Sequence, residues 1–167
     1  MLGGTVAIAA QKLVISLPNK LANSGASVVS TGVYDLTGCR GFVELTQVPD
    51  TQTSALAFLE LANDPQNSLL LIEISGKLQA KKRVNGAETI LVQITYDPVG
   101  HAHLGISEHG GAASWDTSPD GKTWTSFWQA SNPLLSPLVH LRIAAFTYQM
   151  EQIVPGEAHF DNVDLAP

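Results

Sequence analysis

Cysteine is almost absent from this chain: Cys39 stands alone among 167 residues. No intrachain disulfide can form, so the core must hold the fold unaided. With no activating base near it in sequence, Cys39 reads as a small buried hydrophobe and not as a nucleophile. Basic residues are also few, nine Lys and Arg against fifteen Asp and Glu, for a net charge of −6. That balance argues against a nucleic-acid partner, because phosphate affinity rests on clustered cations. The one basic run, Lys81-Lys82-Arg83, lies in an alternating strand pattern and reads as a solvated face. No apolar run reaches the ~18 residues of a membrane-spanning helix. The start of the chain lacks a basic n-region and meets Gln11 and Lys12 after a short apolar run, so no signal peptide is recognised. Also missing are a Gly-x-Ser-x-Gly elbow, a phosphate-cradling glycine loop and a zinc-type Cys pair.

What is present is strand chemistry. Hydrophobic residues make up 44% of the chain and charged residues 14%, a mix suited to a two-layer core. Strand signals recur at roughly 8–12-residue spacing from about Leu13 onward, the mark of a sandwich or barrel. Only 53–63 tempts a helix assignment, and its Ala-Leu-Ala-Phe-Leu-Glu-Leu core fits a buried strand equally well. Between Leu69 and Trp128 the turns come in series. Ser75-Gly76, Asn85-Gly86, Asp97-Pro98-Val99-Gly100, Gly110-Gly111 and Ser118-Pro119-Asp120-Gly121 each supply positive φ or a pre-set φ. The segments between them predict one antiparallel meander, with Ile90, Val92 and Ile94 on an inner face. Segments 138–146 and 158–165 are expected to return and pair with early strands, closing a jelly roll. The expectation is an all-β antiparallel sandwich with little or no helix, a single domain over 1–167, and residues 1–12 as an extended N-terminal arm.

Chemistry is thinner. Glycoside hydrolysis needs two carboxylates roughly 5 to 9 Å apart. Asp161 and Asp164 fall on opposite faces of an ideal strand, Glu60 and Asp64 straddle a turn, and Glu73 and Glu108 have no acidic partner nearby. No enzyme activity is therefore expected. Asp161, Asn162 and Asp164 are the calcium candidates, because carboxylate and amide oxygens suit that ion; no other cofactor is indicated. Trp115, with Trp124 and Trp128 on the following strand, offers flat apolar faces for stacking on a sugar ring or anchoring an interface.

Three blocks of the chain point to a family. They are 33–38 (Val-Tyr-Asp-Leu-Thr-Gly), 96–125 with its Ser-Pro-Asp-Gly-Lys-Thr-Trp hairpin, and 158–163 (Ala-His-Phe-Asp-Asn-Val). In order and spacing the set resembles modules of the concanavalin A-like lectin/glucanase superfamily. The resemblance implies a jelly-roll sandwich of the kind appended to bacterial surface and carbohydrate-active proteins and found in phage tails. It also implies a departure: His103 stands where relatives tend to carry Trp, and Gly105 and Ser107 where they tend to carry Arg. The expected function is a non-catalytic carbohydrate-binding or adhesion module acting through a concave sheet. Trp115, Trp124 and Trp128 would stack, with His103, Asp116 and Lys122 as polar partners. The alternative is a structural or virion-assembly protein, and a hydrolase ranks below both. The expected partners are a glycan or cell-surface polysaccharide, or other virion or surface proteins including further copies of the chain. The expected location is the cell surface or the virion.

Overall fold

The structure is a computed structural model and describes residues 3–19 and 22–166. Its early strands are β1 (Thr5–Ala9), β2 (Lys12–Ser16), β3 (Ser24–Val29), β4 (Tyr34–Asp35) and β5 (Arg40–Gln47). Then come β6 (Ala55–Asp64), β7 (Asn67–Ile74), β8 (Lys77–Val84), β9 (Ala87–Thr95), β10 (His103–His109) and β11 (Ala112–Ser118). The last three are β12 (Thr125–Ser131), β13 (Leu138–Thr147) and β14 (Glu157–Ala166), and no helix occurs among the described residues. One sheet runs β1-β2-β14-β5-β10-β11-β12 and the other β3-β13-β6-β7-β8-β9, with β4 added to β13. All pairs of strands are antiparallel, and the two sheets pack as a jelly-roll sandwich. The late strands return as expected: β13 inserts between β3 and β6, and β14 between β2 and β5.

The core lies between the sheets and follows the two-residue period of the strands. Ala57, Leu59 and Leu61 on β6, Leu69 and Leu71 on β7, and Ile143 and Ala145 on β13 meet Val43, Leu45, Leu104, Ile106 and Trp115 of the first sheet. β6 is apolar on both faces because Leu56 and Phe58, which point away from this core, are buried as well. That is why its sequence shows no alternation and tempts a helix assignment.

Two sequence expectations need correction. The meander is not continuous: β7-β8-β9 lies in the second sheet, and the Asp97–Gly100 turn carries the chain across to β10 in the first. A turn motif specifies reversal, not which sheet the next strand joins. The inner face of β9 is also interrupted. A bulge opposite Ala80/Lys81 pairs Val92 with Ala80 but Ile90 with Lys81, so Ile90 is turned outward and is 54% exposed.

Candidate functional site

The outer face of the first sheet holds most of the residues nominated from sequence, and it is largely self-filled. Arg40, Phe42 and Glu44 on β5 line up beside Ser107, Gly105 and His103 on β10. Asp116 on β11 is buried, and its Oδ2 accepts hydrogen bonds from Arg40 Nε at 3.1 Å and Ser107 Oγ at 2.8 Å. The Arg40 guanidinium lies over the Trp124 ring at 4.5 Å, while Phe42 and His103 meet that ring edge-on at 5.6 and 6.4 Å. Gly105 is the floor of this cluster: a Cβ there would come within 2.8 Å of both Arg40 Cδ and Trp124 Cζ3. The cation absent from β10 is thus supplied by β5, and one indole face is taken by it.

Trp115 is no ligand contact. It is fully buried in the inter-sheet core and donates through Nε1 to the Leu70 carbonyl at 2.8 Å. It alternates with Ala113 as the inward residue of β11. Trp128 pairs with it across the strands, but the bulge at Trp115/Asp116 makes Phe127 the extra residue on β12. Phe127 packs on the core, and Trp128 is left 38% exposed on the edge strand, apart from the Trp124 cluster. Lys122 is exposed in the β11–β12 turn. The Asp120 carboxylate of that turn accepts from the Thr123 and Lys122 amides, which pull its pKa down to about 2. Beside the cluster an open cleft of about 390 Å³ is lined by Phe42, His103, Lys122, Asn162 and Asp164.

The calcium candidates are engaged in local hydrogen bonds. Asp161 Oδ1 and Asp164 Oδ1 accept from the Asn162 and Leu165 amides, and Asn162 Nδ2 donates to Glu44 Oε2 at 2.5 Å. An irregular β14–β5 register pairs Asp161 with Glu44 and Asp164 with Phe42, so both aspartates share the outer face instead of falling on opposite faces as an ideal strand would place them. Among the described residues no three His, Cys, Asp or Glu side chains group to hold a metal.

The outer face of the second sheet is the more site-like, and local sequence patterns missed it. Strand pairing sets outward residues in rows across β13, β6, β7 and β8. One row is His140, Ala62, Ser68 and Arg83, the next is Arg142, Glu60, Leu70 and Lys81, and a third is Ala144, Phe58, Ile72 and Gln79. Leu56, Phe58, Leu70, Ile72 and Ala144 form a second apolar cluster, with Phe58 and Phe146 stacked at 6.0 Å. Among the described residues no strand lies over them, so the face is a trough walled by its own long side chains.

Glu60 is buried in that trough between two guanidinium groups. Its Oε1 accepts from Arg83 Nη1 at 2.9 Å, and its Oε2 lies 2.6 Å from Arg142 Nε. Arg83 Nη2 donates to Glu88 at 2.5 Å, and the Arg142 guanidinium sits 5.1 Å from the Phe58 ring centre. The basic run read as a solvated face is therefore built into the trough: Lys81 is buried and Arg83 is paired. The ion bridge divides two clefts. The apolar one, about 260 Å³, lies over Leu56, Phe58, Leu70, Ile72 and Phe146, with Tyr148 at its side. The larger one, about 410 Å³, is lined by Val29, Ser30, Ala62, Asp64 and His140. The small side chain of Ala62 leaves that space open.

No family model and no curated protein sequence matches the chain. Solved structures share its fold at low identity. A Bacillus licheniformis β-glucanase superposes with a TM-score of 0.65 at 12% identity, over 93% of this chain and 78% of the enzyme. The carbohydrate-binding module CBM66 from Bacillus subtilis gives 0.61 at 13% identity, over 99% and 92%. The CBM2 module of an evolved Dit protein from Lactobacillus casei BL23 phage J-1 gives 0.56 at 8% identity, over 96% and 80%. The chain thus shares the jelly-roll sandwich fold of these proteins. Proteins with this fold include both hydrolases and binding modules.

Proposed function

We propose that the protein is a non-catalytic carbohydrate-binding or adhesion module whose ligand, a glycan or cell-surface polysaccharide, lies in the trough of the second sheet. The observation that carries this reading is the Arg83–Glu60–Arg142 bridge, set on an apolar sheet face with a cleft on either side. Apolar floor with a few fixed polar groups is the composition of a ligand site. The resemblance of the fold to a carbohydrate-binding module supports the ligand class.

Binding without hydrolysis is favoured by the state of the carboxylates. Both oxygens of Glu60 face guanidinium groups, Glu88 serves Arg83 and Lys81, and Asp64 accepts from Gln66 and Asn67. A general acid and its partner would have to be released from these bonds. Affinity electrophoresis against soluble polysaccharides tests the proposal. Retardation by at least one polymer that disappears in Phe146→Ala is the expected result; unchanged mobility in every polymer overturns it.

A second reading, assembly into a larger surface or virion structure, draws on the edge strand β1. Its residues are all exposed, Ile8 at 73%, and it pairs on one side only. Such an edge is a template for a neighbouring strand. The mass in solution decides: a strict monomer at high concentration counts against assembly.

A further inference from the structure

We infer that the trough selects acidic saccharides, with Arg142 as the residue that reads a sugar carboxylate; this rests on the carbohydrate-binding proposal above. The two arginines of the bridge are not equivalent. Arg83 is spent: Nη1 serves Glu60 and Nη2 serves Glu88. Arg142 is ion-paired with Glu60, Nε lying 2.6 Å from Oε2, but its Nε–H makes no hydrogen bond there. Among the described residues no hydrogen bond or ion pair engages its two terminal nitrogens. A guanidinium presents its donors as a planar fork, and an unused pair matches the two oxygens of one carboxylate. Arg142 is also the side chain that lines both clefts together with Arg83, and it is held in place by Glu60 on one side and the Phe58 ring on the other. A cation fixed in this way loses little entropy when it binds.

The larger cleft supplies a second contact. His140 lies two residues before Arg142 on the same face of β13, and its Nδ1 lies 3.3 Å from the Ser30 carbonyl. A carbonyl only accepts, so Nδ1 is the donor in this contact and Nε2 is left as the ring's second polar atom. A hydroxyl beside the carboxylate is the complementary group. The charge around the bridge fits as well: Arg83, Glu60 and Arg142 together carry one net positive charge. Glu88, the acid paired with Arg83, is at the Arg83 end. Asp64, the remaining acid of the larger cleft, is exposed and bonded within its own turn. The ligand class is therefore a uronic-acid-type sugar unit, its ring over the small floor at Ala62 and its carboxylate on Arg142.

The test uses the intact chain with polygalacturonate, alginate and hyaluronan, each compared with its carboxyl-reduced, neutral form. Affinity electrophoresis or calorimetry should show binding to at least one acidic polymer, weakened tenfold or more by carboxyl reduction. Arg142→Ala should abolish that preference, and Arg142→Lys should lose about tenfold because the fork geometry is gone. Thermal melting checks that both variants remain folded. Equal binding to acidic and reduced forms, or an acidic preference intact in folded Arg142→Ala, overturns the inference while leaving a carbohydrate module standing. Binding to neutral polysaccharides alone does the same. No binding to any polymer, acidic or neutral, overturns both.

Discussion

The indole of Trp115, on the first sheet, donates a 2.8 Å hydrogen bond to the carbonyl of Leu70, on the second. This bond spans the sandwich at the largest fully buried side chain of the core. It ties the sheet with the Trp124 cluster to the strand that forms the floor of the trough. Trp115→Ala should cost about 3–5 kcal/mol, from lost burial and the cavity left behind. Trp115→Phe should cost about 1–3 kcal/mol, for the lost indole hydrogen bond and the smaller volume. Denaturant melts measure both. A Trp115→Phe variant as stable as the parent would mean that the bond does not couple the sheets.

Much of the fold was legible because its turns are chemically explicit. Asn85 and Gly86 adopt φ of 50° and 81°, and Gly110 and Gly111 adopt 59° and 84°, as their residue types imply. Trp115 was misplaced by the sequence reading, which put it on a ligand face although Ala113 and Trp115 alternate with Ser114 and Asp116 as inward residues. The trough was not legible, because its residues are assembled by register. Glu60 meets Arg142 only because β13 aligns with β6, and it meets Arg83 only across two further strand pairings. Each acid looked solitary along the chain for that reason. The bulge at Ala80/Lys81 was hidden in the same way, since it shows in no single strand.

Glu60 and Glu88 both bond Arg83 but should differ in value. Glu60 is buried and holds two arginines, so Glu60→Ala leaves uncompensated cations and should destabilise by about 3–5 kcal/mol. The Glu88 side chain is 36% exposed, and Glu88→Ala should cost no more than about 1 kcal/mol. Equal losses in urea unfolding would contradict the burial-based ranking.

Gly105 should not tolerate a side chain even though its φ is unremarkable. Its ideal Cβ meets Arg40 Cδ and Trp124 Cζ3 at 2.8 Å. Gly105→Ala should lift Trp124 off the sheet, shift its fluorescence and cost about 1–3 kcal/mol. Unaltered emission and stability would show that the cluster is loosely seated.

Glu73 sets a pH dependence. It is buried, accepts from the Gly76 amide at 2.9 Å, and burial raises its pKa from 4.5 to about 7 despite that bond. The same setting, with the Glu73 charge close by, pushes Tyr96 up as well. Below pH 4.5 Glu73 is protonated in both the folded and unfolded chain and contributes no difference. Between 4.5 and about 7 the unfolded chain releases its proton first, so stability from this group falls as pH rises, by on the order of 2–3 kcal/mol. Above about 7 both states are ionised and the penalty is complete. Glu73→Gln keeps an acceptor for Gly76 but removes the titration. It should match the parent at pH 4 and exceed it at pH 8, with the gap opening between those values. Parallel stability curves for the two proteins across that range would mean that Glu73 ionises without penalty in the fold.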